Sequence, residues 1–444
     1  MKPMTFDRRD FLKASGIAFG GATIAAGTAS AESTWRYEFT SEALDAKSRE
    51  LVVRENRWAF VANGSAMSVV DVSDPELPVV VAAATARGDD NNDVSVSGDV
   101  AGLANDGSTG SDTNPAGVTF FDVSDPTEPV AASFYDGVES GVHNHYVEDG
   151  YAYICENASG EASFSRSRVH VVDVADPSNP VSVGSWRLQD HHPEMALSGL
   201  NPAHDVFVQD GLAYVAWWDA GCIVLDVTDP ANPREVAHFG ATDDAGEAPA
   251  DTVEFYRRYL GNPGNAHYAR PSPDGNWTFV GDETYPGTYE DVVIPGGHGG
   301  IRIFDTGEVT TDSEPSDPTE GHVGFIPAPD EPAAAPLRTS HNFEPTGSKV
   351  HTSWYQGGVR LWDVEDPTEP TELAAWVSPD GQAYWGAKHL VDDGDHYTVG
   401  SERDGKGLTV LDIVHETGSA SDDADDWPNL GPEDVLGPTM QKPL

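Results

Sequence analysis

Fifteen histidines stand in this chain of 444 residues, and anchoring them on nearby turn motifs shows that they are not scattered. His143 precedes Gly150 by seven positions in the segment ending Glu148-Asp149-Gly150, and His204 precedes Gly211 by seven in the segment ending Gln209-Asp210-Gly211. His341 falls in register with His204 when Val350–Tyr355 is laid on Ala213–Trp218, and His267 matches once a longer turn is allowed. His145 and His389 lie two residues further along the same kind of segment, which by the two-residue period of a strand puts them on the same face. Imidazoles repeated in this way suit one transition-metal ion such as Cu, Zn or Fe, whereas carboxylates alone would favour Ca or Mg. The set His143, His145, His204, His267, His341 and His389 is therefore the candidate metal site. The competing expectation is structural, since a histidine inherited with a repeat can serve only to hydrogen-bond a neighbouring strand.

Nothing else in the chain carries comparable chemistry. There is no phosphate-cradling glycine loop, no nucleophile elbow and no CxxC motif, so catalytic residues are unknown, no organic cofactor is expected, and whether the protein is an enzyme stays open. Cys155 and Cys222 are the only cysteines; a bridge between them and two buried thiols are both compatible with their spacing. Asn63-Gly64-Ser65, Asn157-Ala158-Ser159 and Asn276-Trp277-Thr278 are glycosylation acceptors by pattern.

The elements that position the histidines are repeats. Asp71-Val72-Ser73-Asp74-Pro75-Glu76-Leu77-Pro78 recurs at Asp122, Asp173, Asp226 and Asp363, with degenerate copies at Asp305 and Asp412. The leading aspartates are 51, 51, 53, 79, 58 and 49 positions apart, and a period near 50 with strand patterning points to a radial array. In each copy an apolar strand ends in Asp, an Asp-Pro turn follows, and another apolar strand begins after a proline that lacks a ladder donor, as suits an outermost strand. Upstream of each stands a hairpin, clearest in His204–Val208, the Asp210-Gly211 turn and Leu212–Trp217. Each unit is thus four strands, A innermost to D outermost, and seven units fit between Glu50 and Glu416. The seventh, Tyr384 to Glu416, lacks an apolar fourth strand, while Trp35–Phe39 is an orphan strand with outer-strand alternation. Joining them closes the ring and removes an exposed edge. The expected fold is all-β, a seven-bladed β-propeller with four-stranded blades closed by the N-terminal strand.

Antiparallel pairing places the start of strand A and the end of strand B at one face of the disc. That mouth of the channel therefore gathers the histidines with Asn63, Asn105, Glu156, Asp282, Glu283 and Glu402, and with Trp217, Trp218, Trp354 and Tyr355. Loops add His191-His192-Pro193-Glu194 and His298. Asp251-Thr252-Val253-Glu254 has a helix-capping pattern and leads Phe255–Leu260 into a short helix over the rim. The aspartates Asp71, Asp122, Asp173, Asp226 and Asp363 fall on the opposite face, where capping of turns explains them.

The repeat resembles the LVIVD-repeat family of β-propellers, whose unit is a hydrophobic strand ending in VDVSDPxxP, and the resemblance spans nearly the whole chain after the N-terminal leader. It implies the propeller fold and an extracytoplasmic setting. The fifth unit departs from it, with Asp305-Thr306-Gly307 in place of the Asp-Pro turn. A broader likeness to selenium-binding and methanethiol-oxidase propellers, which also use channel histidines, is architectural.

Charge and leader complete the reading. With 74 Asp+Glu against 25 Lys+Arg the formal net charge is -49, which repels nucleic acid and anionic lipid. Molar salt shrinks the Debye length to roughly 3 Å and screens the self-repulsion, so the composition reads as halophilic. Asp7-Arg8-Arg9-Asp10-Phe11-Leu12-Lys13 followed by a small-residue apolar stretch and Ala29-Ser30-Ala31 reads as a twin-arginine export signal over residues 1–31. The propeller is expected over 32–416 and an acidic disordered tail over 417–444. The protein is expected to be a monomer outside the cell or at its surface, with no transmembrane segment. Two functions fit: a scaffold that binds a protein, glycan or small-molecule ligand at the channel mouth, which the repeat pattern favours, and a His-coordinated metalloenzyme, an oxidoreductase or hydrolase.

Overall fold

The computed structural model describes residues 34–416 apart from 45, 157–166, 199, 290, 316–317, 320 and 406. The expected leader, the acidic tail and the acceptor Asn157-Ala158-Ser159 lie outside the described residues. Seven four-stranded antiparallel sheets are arranged around a channel. Their inner strands are Leu51–Arg54, Asn91–Ser97, Val142–Glu148, Asp205–Gln209, Ala266–Pro271, Ser340–Thr346 and Tyr384–Asp392. Each inner strand packs against the next, and the last packs against the first. The chain is a seven-bladed β-propeller, as its repeats predict.

The repeat motif builds the outer edge of each blade. Asp71 Oδ1 accepts from Ser73 N at 3.0 Å and Asp74 Oδ1 accepts from Glu76 N at 3.0 Å, and the same paired turns recur at Asp122 and Asp125, Asp173 and Asp176, Asp226 and Asp229, and Asp363 and Asp366. The carboxylate ladder therefore caps turns. In blade 5 Asp305 still caps, accepting from Gly307 N at 3.2 Å, but the outer strand shortens to Gly324–Ile326.

Apolar side chains collect in seven clusters, one in each seam between adjacent blades. Both faces of the B and C strands are therefore buried, which is why strands such as Trp58–Ala62 and Leu212–Ala216 are buried throughout and read as continuous apolar runs. Fully burying one such side chain contributes about 1.5–3 kcal/mol, so the seams hold the ring. Cys155 lies in the seam between blades 3 and 4 and Cys222 in that between blades 4 and 5. Each is a buried free thiol, and the bridge is not formed.

Blade 7 takes Thr34–Ala43 as its outer strand, paired with Gly407–Glu416 from Thr34↔Glu416 to Ala43↔Leu408. Trp35 stacks on His415 at 4.0 Å, and Tyr37 shares a 2.9 Å hydrogen bond with Thr398. No helix among the described residues is long and apolar enough to cross a membrane.

Candidate functional site

The channel mouth is shaped by an irregularity at the start of the inner strands. In blades 2, 3, 5 and 7 the pairing of strands A and B skips one residue, namely Asn92, His143, His267 and Trp385. In blade 6 it skips His341 and Asn342. Blade 4 reaches the same level with His204, just ahead of its inner strand, whose N–H donates to Ala216 O at 2.8 Å. A bulge re-aims the extra side chain, and here the result is a ring of Asn92, His143, His204, His267, His341 and Trp385, completed from blade 1 by Arg49, whose N–H donates to Ala62 O.

Four of the six predicted histidines meet there. Ring centroids are 4.4 Å apart for His143 and His204, 4.1 Å for His204 and His267, and 4.4 Å for His267 and His341. His145 and His389 do not join them. Because the bulge uses two residues where the strand period assumes one, His145 turns toward blade 2, where its Nδ1 lies 2.7 Å from Asp93 Oδ2 and its Nε2 abuts Gly102. In blade 7 Trp385 holds the ring position. His389, four residues on, contacts His396 (Nε2 to Nδ1, 2.9 Å) and the ring of His351 at 4.8 Å.

Each ring histidine but one has a partner that fixes its orientation. His204 Nδ1 donates to His267 O at 3.1 Å and His341 Nδ1 donates to Trp385 O at 2.6 Å. A carbonyl only accepts, so both Nδ1 atoms carry the proton and both Nε2 atoms carry the lone pair. His143 Nδ1 lies 3.0 Å from Asp106 Oδ2. These are the neighbour-blade hydrogen bonds that the structural expectation foresaw, yet they use one nitrogen per ring. His341 Nε2 and His267 Nδ1 are buried without a hydrogen-bond partner.

Glu283, from the end of strand B in blade 5, sits between two of the imidazoles. Its Oε2 is 3.6 Å from His267 Nε2 and its Oε1 3.8 Å from His341 Nε2. The hydroxyls of Tyr285 and Tyr355 both donate to Oε1 at 2.5 Å. One ligand atom each from His204, His267 and Glu283 falls within 4.8 Å of the others. Burial, reinforced by neighbouring imidazoles, holds His204 and His341 well below the usual histidine range. Burial takes His267 down to about 4. For His143 burial acts the same way but is outweighed by the hydrogen bond and charge of Asp106, with help from Glu283 and Asp93, so its value is raised. Three neutral imidazoles beside a carboxylate offer their lone pairs to a transition metal.

Aromatic groups wall the mouth. Trp218 lies 5.1 Å from His204 and stacks on Tyr259 at 5.2 Å, while Tyr355 and Trp385 flank His341 at 4.8 and 4.3 Å. Tyr259 ends the helix Thr252–Tyr259, which forms where the capping pattern predicts it, with Asp251 Oδ1 accepting from Glu254 N at 2.9 Å. Trp218 is fixed at φ 51° by paired backbone hydrogen bonds to Ala266. Arg403 lies over Tyr355 at 4.5 Å and near Trp385 at 5.6 Å. Sequence reasoning placed Glu283, Trp218 and Tyr355 at this mouth but missed Asp106, Tyr285 and Trp385. Asp106 follows the B-strand residue Asn105, and that adjacency was the available signal.

Below the ring the channel is polar. Glu50, Asp93 and Asp205 face it with Asn144 and Asn342; Asn144 donates to Asp205, Asn342 donates to Glu50, and Lys388 Nζ lies 2.7 Å from Glu50 Oε1. Burial first, then the charges of Asp93 and Glu50, push the Asp205 carboxyl well above the usual range. A cavity of about 260 Å³ occupies this half of the channel, lined by these three acids with Lys388, Arg270 and Tyr268.

Comparison with known proteins supports the repeat assignment. Residues 46–84 and 202–240 match the LVIVD repeat. The first lies on blade 1 and the second on blade 4. No curated protein matches the chain. Among solved structures, the β-propeller domain of Cps50 (Swd1) from Myceliophteria thermophila is similar with a TM-score of 0.54 at 11% identity, covering 85% of this chain and 100% of that one. At that identity the likeness concerns the fold alone.

Proposed function

We propose that this LVIVD-repeat propeller holds one transition-metal ion at the mouth of its central channel through His143, His204, His267 and His341, with Glu283 beside them, and acts there on a small ligand. The observation that carries the reading is the convergence of four imidazoles from four successive blades, two with Nδ1 committed to backbone carbonyls and Nε2 left to offer a lone pair. The donor set suits Cu, Zn or Fe. An ion held by side chains from one side of the ring keeps a position open toward the channel mouth, as catalytic sites do. The chemistry such a site supplies is oxidation or hydrolysis of a ligand lying against Trp218, Tyr355 and Trp385. The leader motif supports twin-arginine export, and the charge of -49 supports a salty exterior as its setting.

Elemental analysis of protein purified without metal-affinity steps tests this. About one equivalent of Cu, Zn or Fe, lost in His204→Ala and His341→Ala variants that remain folded, is the expected result. Absence of any transition metal from wild-type protein, and no uptake on reconstitution, would return the four histidines to packing. A scaffold reading has its own support: Val79 and Val80, Val130 and Val181 are exposed at the start of the outer strand in blades 1, 2 and 3. That row of apolar side chains suits a protein partner across the rim. Val130→Glu would abolish such binding and leave the metal content unchanged.

A further inference from the structure

Behind the ring at the channel mouth stands a second tier, set by the end of strand B. In blades 2, 5, 6 and 7 it is the residue after the strand B partner of the position preceding the bulge, namely Asp106, Glu283, Tyr355 and Arg403. Gly64 and Trp218 take the same place in blades 1 and 4. Each is bridged to the residue just ahead of the ring position in the next blade, Asn91 and Ala266. In blade 3 the place falls on residue 157, outside the described residues.

The polar groups of this tier are committed to the protein itself, with one exception. Asp106 Oδ2 lies 3.0 Å from His143 Nδ1, Trp218 Nε1 donates to Tyr259 O at 2.9 Å, and Glu283 Oε1 accepts from the Tyr355 hydroxyl at 2.5 Å. Arg403 is the exception. Its backbone N–H donates to Ala383 O at 3.0 Å, but among the described residues its guanidinium has no hydrogen-bond or ion-pair partner. The adjacent Asp404 turns its Oδ2 to Ala383 N instead. The chain has 74 acidic side chains for 25 Lys+Arg, so a carboxylate for this half-buried cation was not in short supply.

An arginine merely solvated at a surface is free to move, and Arg403 is not. Its Cζ lies 4.5 Å from the ring centre of Tyr355 and 5.6 Å from that of Trp385, both within cation–π reach. Stacking fixes the plane of the guanidinium and leaves its N–H edge to donate as a fork, which matches the two oxygens of a carboxylate. Arg49, the blade 1 member of the ring, lies beside the same Trp385 at 5.7 Å. It gives Nη1 to Asp90 Oδ1 at 3.0 Å and keeps its remaining N–H donors. Tyr355 and Trp385 also flank His341 at 4.8 and 4.3 Å, so the two guanidiniums and the histidines border one space. In a molecule whose overall field repels anions, cations set at the mouth supply the local attraction an anionic ligand needs.

We infer that Arg403, assisted by Arg49, is the anion anchor of the channel mouth. The ligand is a small organic acid whose carboxylate takes the Arg403 fork while its carbon body lies against Trp385 and Tyr355. This deepens the proposed function by naming the class of ligand. It rests on the channel mouth being the ligand site, and the anchor itself does not require the ion.

The test titrates the full chain calorimetrically with benzoate and with benzamide, its neutral isostere, in KCl. Wild type, Arg403→Gln and Arg403→Lys are each measured after stripping by chelator and again after reconstitution with Zn2+. Wild type should bind benzoate in both forms and benzamide about 10- to 100-fold more weakly, as expected for losing a hydrogen bond between charged partners. Arg403→Gln should bind both compounds alike at the lower affinity, with its melting temperature unchanged. Arg403→Lys, which keeps the charge without the fork, should recover part of the difference. No benzoate bound by wild type, equal affinity for benzoate and benzamide, unchanged benzoate binding in Arg403→Gln, or displacement of benzoate by equimolar sulfate would overturn the assignment. Failure of the ion and failure of the anchor give different results. Arg403-dependent benzoate binding by a protein that takes up no transition metal would remove the ion and keep the anchor, and metal uptake without such binding would do the reverse.

Discussion

Asp106 acts on the channel site without standing among its convergent atoms, because it fixes Nδ1 of His143 from 3.0 Å away. Carboxylates in that role orient a ligating imidazole and raise its basicity, and their loss typically costs 10- to 100-fold in metal affinity. Asp106→Asn should weaken metal binding by about that factor in a competition titration while leaving the melting temperature nearly unchanged; an unchanged affinity would deny Asp106 the positioning role. A second residue bears on stability. Burial, followed by the charge of Asp149, pushes the Glu148 carboxyl from its ordinary 4.5 up to about 7. Its folded form therefore binds the proton more tightly than its unfolded form, and by linkage stability falls as pH rises from about 4.5 to 7. Glu148→Gln should flatten that part of the pH profile and raise the melting temperature at pH 8, as thermal melts across the range would show. A parallel pair of profiles would remove Glu148 from the explanation.

At the scale of elements, what was legible and what was not separate cleanly. The Asp-Pro turns and Asp-Gly hairpins repeat in one dimension, so blade number, strand count and ring closure could be read from spacing alone. The bulges could not, because an extra residue leaves no mark in an apolar alternation. That is why His145 and His389 were placed on the wrong face. The four histidines of blades 3 to 6 were found because they were anchored on turns, which lie on the far side of the bulge by a constant count. The closing strand was equally legible as an orphan. Deleting residues 34–43 should leave Gly407–Glu416 as an unpaired edge, lower the melting temperature by many degrees and promote aggregation, followed by circular dichroism and light scattering. Tyr37→Phe, which removes only the hydroxyl bound to Thr398, should cost about 0.5–1.5 kcal/mol. A deletion that melts like wild type would mean the strand is ornamental.

For the whole molecule, charge sets the conditions under which the ring holds. A formal -49 opposes compaction until it is screened, and the Debye length falls from about 10 Å at 0.1 M salt to about 3 Å at 1 M. The melting temperature should climb steeply with KCl over that range, and a flat or falling response would mean that the acids are already neutralised by local partners. The seams tolerate this because they are apolar and lie between blades, away from the charged rim. One further property belongs to the ring as a whole. Thr34 pairs with Glu416, so the first blade strand to be synthesised has no partner until the last has been made. A chain cut short at any blade therefore presents an unsatisfied strand at its beginning as well as a ragged end. Closure is a molecular proof of length, granted only to a chain that has reached Glu416.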